Sequence, residues 1–224
     1  MNQSINSFTS IPKRILSMLW TFFNDISQRV ITRNKHEQIQ ILSRLFQKIG
    51  CKPGEKILDF GCGTGIFVKL LGNKGLGLSY VGYDVDENLT KYGQWVYPSS
   101  LFASHKEDVV KYGPYEYILS NCCFHHISDE QLTQELEFIS SNLKREGKFV
   151  VVDILAQSQE SFAHKLFMML EQGEYIRSYD DYVALLQAKY DVIHMETIRS
   201  HFVSIRNPFI YNDLGIFVCQ ASLN

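Results

Sequence analysis

Apolar residues along this chain follow two alternating spacings. Short continuous runs at 56–60, 79–83, 101–103, 115–120 and 148–154 predict five buried strands. Stripes at helical spacing fall between and before them. Asn34 and Glu37 open one, carried by Ile39, Leu42, Leu45, Phe46 and Ile49 and ended by Gly50. Further helices are expected over 64–71, closed by Gly72, over 87–96 behind Asp86, and over 129–143 behind Ser128 and Gln131. Strands that alternate with helices imply a parallel sheet covered on both faces. Right-handed crossovers then gather the loops at the strands' C-terminal ends on one edge. Past residue 154 the pattern changes to helices at 162–170 and 179–189, then strand-like runs at 191–200 and 214–221.

Ahead of all this lies an amphipathic stretch, residues 11–31. Ile15, Leu19, Phe22, Phe23, Ile26 and Val30 share one face, which Leu16, Met18 and Trp20 widen. Such a face needs something to lie on. A lid over this protein's own cleft is one partner; peripheral contact with a membrane surface through residues 11–31 is the other. The first fifty residues carry seven basic and two acidic side chains, although the formal net charge of the chain is -2. Nothing global therefore points to nucleic acid. The five cysteines, Cys51, Cys62, Cys122, Cys123 and Cys219, lack zinc-ligand or thioredoxin spacing. Reduced thiols and a cytoplasmic address are the expectation. No run is long and apolar enough to cross a bilayer, and the N-terminal residues do not read as a secretory leader.

The chemistry concentrates in Ile57-Leu-Asp-Phe-Gly-Cys-Gly-Thr-Gly65. A buried strand ends at Phe60, and Gly61, Gly63 and Gly65 then permit a tight turn against which a ligand can press. Asp84 ends the next apolar run, at about the twenty-residue distance that suits an acid gripping ribose hydroxyls. A dinucleotide loop is excluded, because Gly-x-Gly-x-x-Gly fails from both Gly61 and Gly63. A phosphate loop is excluded too, because Ile66 and Phe67 follow Gly65.

The pattern Asp59-x-Gly61-x-Gly63-x-Gly65, followed by Asp84 and by Ser120-Asn-Cys-Cys-Phe-His-His-Ile127, resembles the class I S-adenosylmethionine-dependent methyltransferases. Within that family it resembles the small-molecule branch that includes the ubiquinone and menaquinone biosynthesis enzymes. The resemblance implies an α/β fold: a Rossmann-like seven-stranded, mostly parallel sheet with an antiparallel C-terminal hairpin, helices on both faces and an N-terminal helical extension. It implies a methyltransferase domain over 34–224, an N-terminal lid over 1–33, and a helical substrate cap over 155–190. The cofactor implied is S-adenosylmethionine, with methyl transfer to a small-molecule acceptor by in-line displacement. A lipid or lipid-linked sugar acceptor and a non-catalytic scaffold are the alternatives. Nucleic acid is disfavoured, because Asn121-Cys-Cys-Phe124 is not the Asn/Asp-Pro-Pro-Phe/Tyr pattern of the enzymes that methylate nucleic-acid amino groups.

Residue by residue, the resemblance implies that Asp59 organises the loop and faces the methionine ammonium. Phe60, Gly61, Cys62, Gly63 and Gly65 form the backbone cradle. Asp84 takes the ribose diol, with Val85 beside it. The adenine side falls in Ser104-His-Lys-Glu-Asp108, with Lys106 and Glu107 as contacts in an open register. Asn121 and Cys122 close the crevice. The candidates for a general base are His125, His126 and Asp153, at the edge where the methyl group should lie. Arg177 reads either as a clamp for an acidic acceptor or as a solvated salt bridge. No metal is expected, since adjacent histidines point apart and no carboxylate spacing completes a site.

Overall fold

The computed structural model describes residues 34–72, 74–156, 174–201 and 211–222. The stretch 11–31 and the helix expected over 162–170 lie outside the described residues. Seven strands form one sheet: β1 (Lys56–Phe60), β2 (Ser79–Tyr83), β3 (Leu101–Ala103), β4 (Tyr115–Asn121), β5 (Leu143–Ile154), β6 (Tyr190–His201) and β7 (Tyr211–Ala221). Their order is β3-β2-β1-β4-β5-β7-β6. The pairs β1–β2, β1–β4, β2–β3 and β4–β5 are parallel, whereas β7 runs antiparallel to both β5 and β6. This is the Rossmann-like sheet with a reversed C-terminal hairpin that the motif pattern implied. The strand order turns around at β1 and β4, so their C-terminal ends flank the switch-point crevice where such sheets bind ligands.

Among the described residues six helices accompany the sheet: α1 (Asn34–Lys48), α2 (Val68–Leu71), α3 (Glu87–Val96), α4 (Lys106–Tyr112), α5 (Asp129–Asn142) and α6 (Tyr179–Gln187). Leu42, Leu45 and Phe46 of α1 pack with Val68 and Leu71 of α2 against Ile57, Tyr117, Val150 and Ile216. On the opposite face Val109 of α4, Leu132, Leu136 and Ile139 of α5, and Tyr182 and Leu186 of α6 cover Leu58, Ile118, Phe149 and Phe217. Each such fully buried large apolar side chain contributes about 1.5–3 kcal/mol. Successive residues of β1 serve opposite faces, which places Asp59 on the same side of the sheet as Ile57.

Three elements depart from the sequence pattern. The helix after β1 is only Val68–Leu71, because Gly63 and Gly65 adopt φ of 54° and 79° and hold the residues between them and α2 in turns. Helix α4 stands where the apolar pattern predicted no element; Val109 is its one buried residue, too little to make a stripe. Strand β5 starts at Leu143, with a register irregularity against β4 between Tyr115 and Tyr117. Two of the expected caps are present: the Asp86 and Ser128 side chains accept from the amides of Asn88 and Gln131. Among the described residues no helix is long and apolar enough to cross a membrane.

Candidate active site

The loop after β1 folds back over the end of β2. The amides of Gly61 and Cys62 both donate to the carbonyl of Tyr83, at 2.8 and 3.0 Å. The amide of Gly63 donates to Asp84 Oδ2 at 2.9 Å, and that of Asp86 to Asp84 Oδ1 at 2.9 Å. One half-buried carboxylate thus ties the glycine loop to the start of α3. Burial raises the Asp84 pKa, and the two backbone donors oppose the rise. Each oxygen keeps lone-pair capacity for a further donor.

The glycines divide the labour. A Cβ on Gly61 (φ 75°) would lie 2.4 Å from Cys123 Sγ, so here the loop presses on the turn after β4. A Cβ on Gly63 (φ 54°) would meet nothing within 4 Å, so there the backbone faces open space. At the crevice's second margin Val85 is 81% exposed, an apolar platform directly after the carboxylate. At the third, the side-chain oxygen of Asn121 is buried without a hydrogen-bond partner among the described residues, an acceptor in need of a donor. An approachable backbone, a diol-sized carboxylate, a flat apolar surface and an orphan acceptor fit a nucleoside carrying an amino-acid tail.

Asp59 lies beneath this surface, 1% exposed, with Oδ2 accepting from Tyr80 Oη at 2.6 Å. Burial pushes its pKa up to about 7; the Tyr80 hydrogen bond pulls against this, and the Asp84 charge adds to it. Nothing in the sequence signalled the Tyr80 partnership, which joins adjacent strands across 21 positions. Lys106 Nζ pairs with Glu135 of α5 at 2.7 Å and stands 4.9 Å above the Phe138 ring, while Glu107 is exposed in the first turn of α4. Phe60 is a core residue, tilted against the Tyr83 ring at 5.2 Å. Cys62 is buried, and Cys122 takes a left-handed φ of 50° as the chain leaves β4.

That exit leads into a single 3-10 turn, Phe124–His126. Asp153, near the end of β5, organises it. Its Oδ2 accepts from the amides of Phe124 (2.8 Å) and His125 (3.2 Å), and its Oδ1 accepts from the amide of Ile154 (2.8 Å) and lies 2.5 Å from His125 Nδ1. A carboxylate so placed selects the His125 tautomer with its proton on Nδ1. Both partners are buried, Asp153 1% and His125 0% exposed. His126 alone of the three faces solvent, tilted against the His125 ring at 4.1 Å. The sequence presented these residues as equivalents, but the structure makes two of them an internal pair and one a surface group. Arg177 is 7% exposed and bound at 2.6 Å to Asp129, which is itself 85% exposed, so the guanidinium is a buried group paired to a surface carboxylate and not an open clamp. Among the described residues no group of three or more His, Cys, Asp or Glu side chains could hold a metal ion.

A family model described as "Methyltransferase domain" matches residues 31–189. A methyltransferase of Staphylococcus carnosus is 22% identical over 182 residues, covering 81% of this chain and 80% of the relative. One of Oceanobacillus iheyensis is 24% identical over 183 residues, covering 80% and 79%. Among solved structures, a Pyrococcus horikoshii protein superposes with a TM-score of 0.64 at 18% identity, over 90% of this chain and 98% of that one. The magnesium protoporphyrin IX methyltransferase of Synechocystis with bound S-adenosylmethionine gives 0.62 at 16%, over 96% and 100%. The chain belongs to the methyltransferase domain family, and it is an S-adenosylmethionine-dependent methyltransferase.

Proposed function

We propose that this enzyme methylates a small-molecule acceptor held against His126, with the cofactor laid over the switch point between β1 and β4. The single observation that carries this reading is the position of His126, an exposed imidazole at the β4 end of the crevice that Asp84 and Gly63 open on the β1 side. In this arrangement Asp84 accepts the ribose hydroxyls, Val85 lies against the adenine, Ser104–Glu107 supply its edge, and the Asn121 oxygen receives a ligand donor. Gly61 and Gly63 give the close backbone approach, and Asp59 balances the charge of the amino-acid tail. S-adenosylmethionine supplies a methyl group that is electrophilic before the protein acts. The protein's part is to hold the acceptor in line and, for a hydroxyl acceptor, to receive its proton at His126. Asp153 and His125 fix the turn that presents His126.

The acceptor side is tested by incubating the enzyme with methyl-labelled cofactor and pools of phenols, quinone precursors and fatty acids. With a labelled hydroxyl acceptor in hand, His126→Ala should slow transfer by about 10²–10⁴-fold and leave S-adenosylhomocysteine affinity unchanged. Undiminished transfer by that variant would remove His126 from the chemistry.

The cofactor side has a pH signature. The folded-state pKa of Asp59, about 7, lies above the unfolded carboxylate value. Its contribution to folding is therefore present below the unfolded value and is lost as pH rises through about 7. A bound cation favours the ionised form. Cofactor affinity should therefore rise between about pH 6 and 8, with proton release on binding near neutrality. Calorimetry in buffers of different ionisation enthalpy reads that release; binding with no proton exchange across the window rules out ionic contact with Asp59.

The remaining organisation follows the same reading. In it, residues 1–33 have the role of a lid and the 155–190 insert that of a substrate cap, with helix α6 of the insert packed on the sheet, in a domain spanning 34–224 of a cytoplasmic protein with reduced thiols. A lipid acceptor at a membrane surface is the second reading, favoured by the basic amphipathic pattern of residues 11–31. Flotation with anionic vesicles separates the two.

A further inference from the structure

The acceptor-side turn is held by a side chain more than fifty residues away in sequence. All five N–H groups of the Arg177 guanidinium have protein acceptors. Nη1 donates to the carbonyls of Phe124 (2.8 Å) and Tyr175 (3.1 Å), and Nη2 donates to the carbonyl of Ile127 (2.7 Å) and to Asp129 Oδ1 (2.6 Å). Nε donates to the same Asp129 oxygen at 2.9 Å. The backbone around Arg177 is anchored in turn: its carbonyl accepts from the amide of Ala156 at 2.9 Å, and Leu155 and Arg177 form a parallel bridge at the end of β5. The amide of Tyr175 donates to the carbonyl of His125 at 3.0 Å. The carbonyls of Phe124, His125 and Ile127 are thus all fixed from residues 175–177. His126 stands in the middle of that row.

We propose that Arg177 is a positioning residue of the methyl-transfer site, setting the orientation of His126 by clamping the Phe124–Asp129 turn to the end of β5. The inference rests on the proposed placement of the acceptor at His126. The turn has two supports of opposite charge. Asp153 holds its amides and Arg177 holds its carbonyls. A 3-10 turn one residue long on either side of His125 has little rigidity of its own. With the amide side alone held, the turn can pivot about Asp153, and the exposed ring at its end moves furthest. Lysine cannot replace this arginine, since an ammonium has three donors on a single nitrogen and cannot span acceptors on both flanks of a guanidinium plane.

The test needs no acceptor. Arg177→Lys, Arg177→Met and a destabilised control, Leu42→Ala in α1 on the far face of the sheet, are compared with wild type by the histidine ring resonances and by amide hydrogen exchange. The expected result for Arg177→Lys is a displaced His126 Cε1–H signal, and exchange at residues 124–127 accelerated at least tenfold beyond any change in the slowest core amides. S-adenosylhomocysteine affinity should stay within about threefold, because the guanidinium does not reach the β1 side of the crevice. Leu42→Ala should change global stability alone. Should the arginine variants fail to fold, Asp129→Ala frees two of the five contacts from an 85% exposed partner and should move the same signal less far in the same direction. Unmoved His126 resonances in folded Arg177→Lys, or equal displacement in Leu42→Ala, overturn the proposal. A displaced resonance together with undiminished transfer by His126→Ala supports the clamp and rejects only the placement of the acceptor.

Discussion

Asp84→Asn is expected to bind S-adenosylhomocysteine about a hundredfold more weakly than wild type, or worse. In the proposed complex the Asp84 carboxylate faces two ribose hydroxyls, and hydrogen bonds to a charged acceptor are worth about 1.5–3 kcal/mol each. Loss of roughly 3 kcal/mol corresponds to about two decades in Kd. The same carboxylate receives the amides of Gly63 and Asp86, so its neutralisation also slackens the loop that cradles the ligand. A thermal shift reads both effects. At about one hundred times its Kd the ligand adds roughly 2.7 kcal/mol to the wild type, which for a chain of this size is on the order of 5–10 °C in Tm. At the same concentration the variant should shift by about 1 °C. A variant that shifts like the wild type would show that the ribose is held elsewhere.

The second large effect is expected at Gly61. Alanine there must accept a left-handed φ of 75° and place its Cβ 2.4 Å from Cys123 Sγ and 2.8 Å from Cys123 Cβ. The backbone conformation costs about 1–2 kcal/mol, and overpacking of this kind adds about 1–3 kcal/mol. Urea denaturation should therefore show Gly61→Ala destabilised by about 2–5 kcal/mol, with weakened cofactor binding because the loop is pushed off the β4 exit. Adding Cys123→Ala removes the sulfur but leaves the Cβ. It should restore part of the steric cost and none of the backbone cost, which a double-mutant cycle separates. A Gly61→Ala protein within about 0.5 kcal/mol of wild type would mean that the loop does not pack on the turn as described.

Much of the cofactor half of the molecule could be read from its sequence, because its determinants are local. The run ending at Phe60, the three glycines and Asp84 occupy fewer than thirty positions, and each declares its conformation through its residue type. All seven strands follow from short apolar runs, with β5 alone extending well ahead of its predicted start. The acceptor half was less legible, because its determinants are pairings across long separations. Asp153 and His125 were each singled out, but their bond spans 28 residues and no local pattern encodes it. Arg177 looked like a surface cation because its acceptors are backbone carbonyls 50 and 53 residues earlier, which carry no side-chain signature. Helix α4 escaped notice because one buried valine cannot establish a period.

The place of β7 in the sheet has a consequence for how the molecule assembles. The latest strand in the sequence is not at the sheet's margin; it slots between β5 and β6, matching Lys148–Ile154 on one side and Tyr190–His201 on the other. While the polypeptide is still emerging from the ribosome, β5 therefore presents an unsatisfied ladder whose side chains from Phe149 to Ile154 are apolar or destined for burial. β6 cannot dock on it directly. The crevice and its loops can be synthesised in full long before the sheet beneath them closes, and that closure waits on a single insertion by residues 211–221.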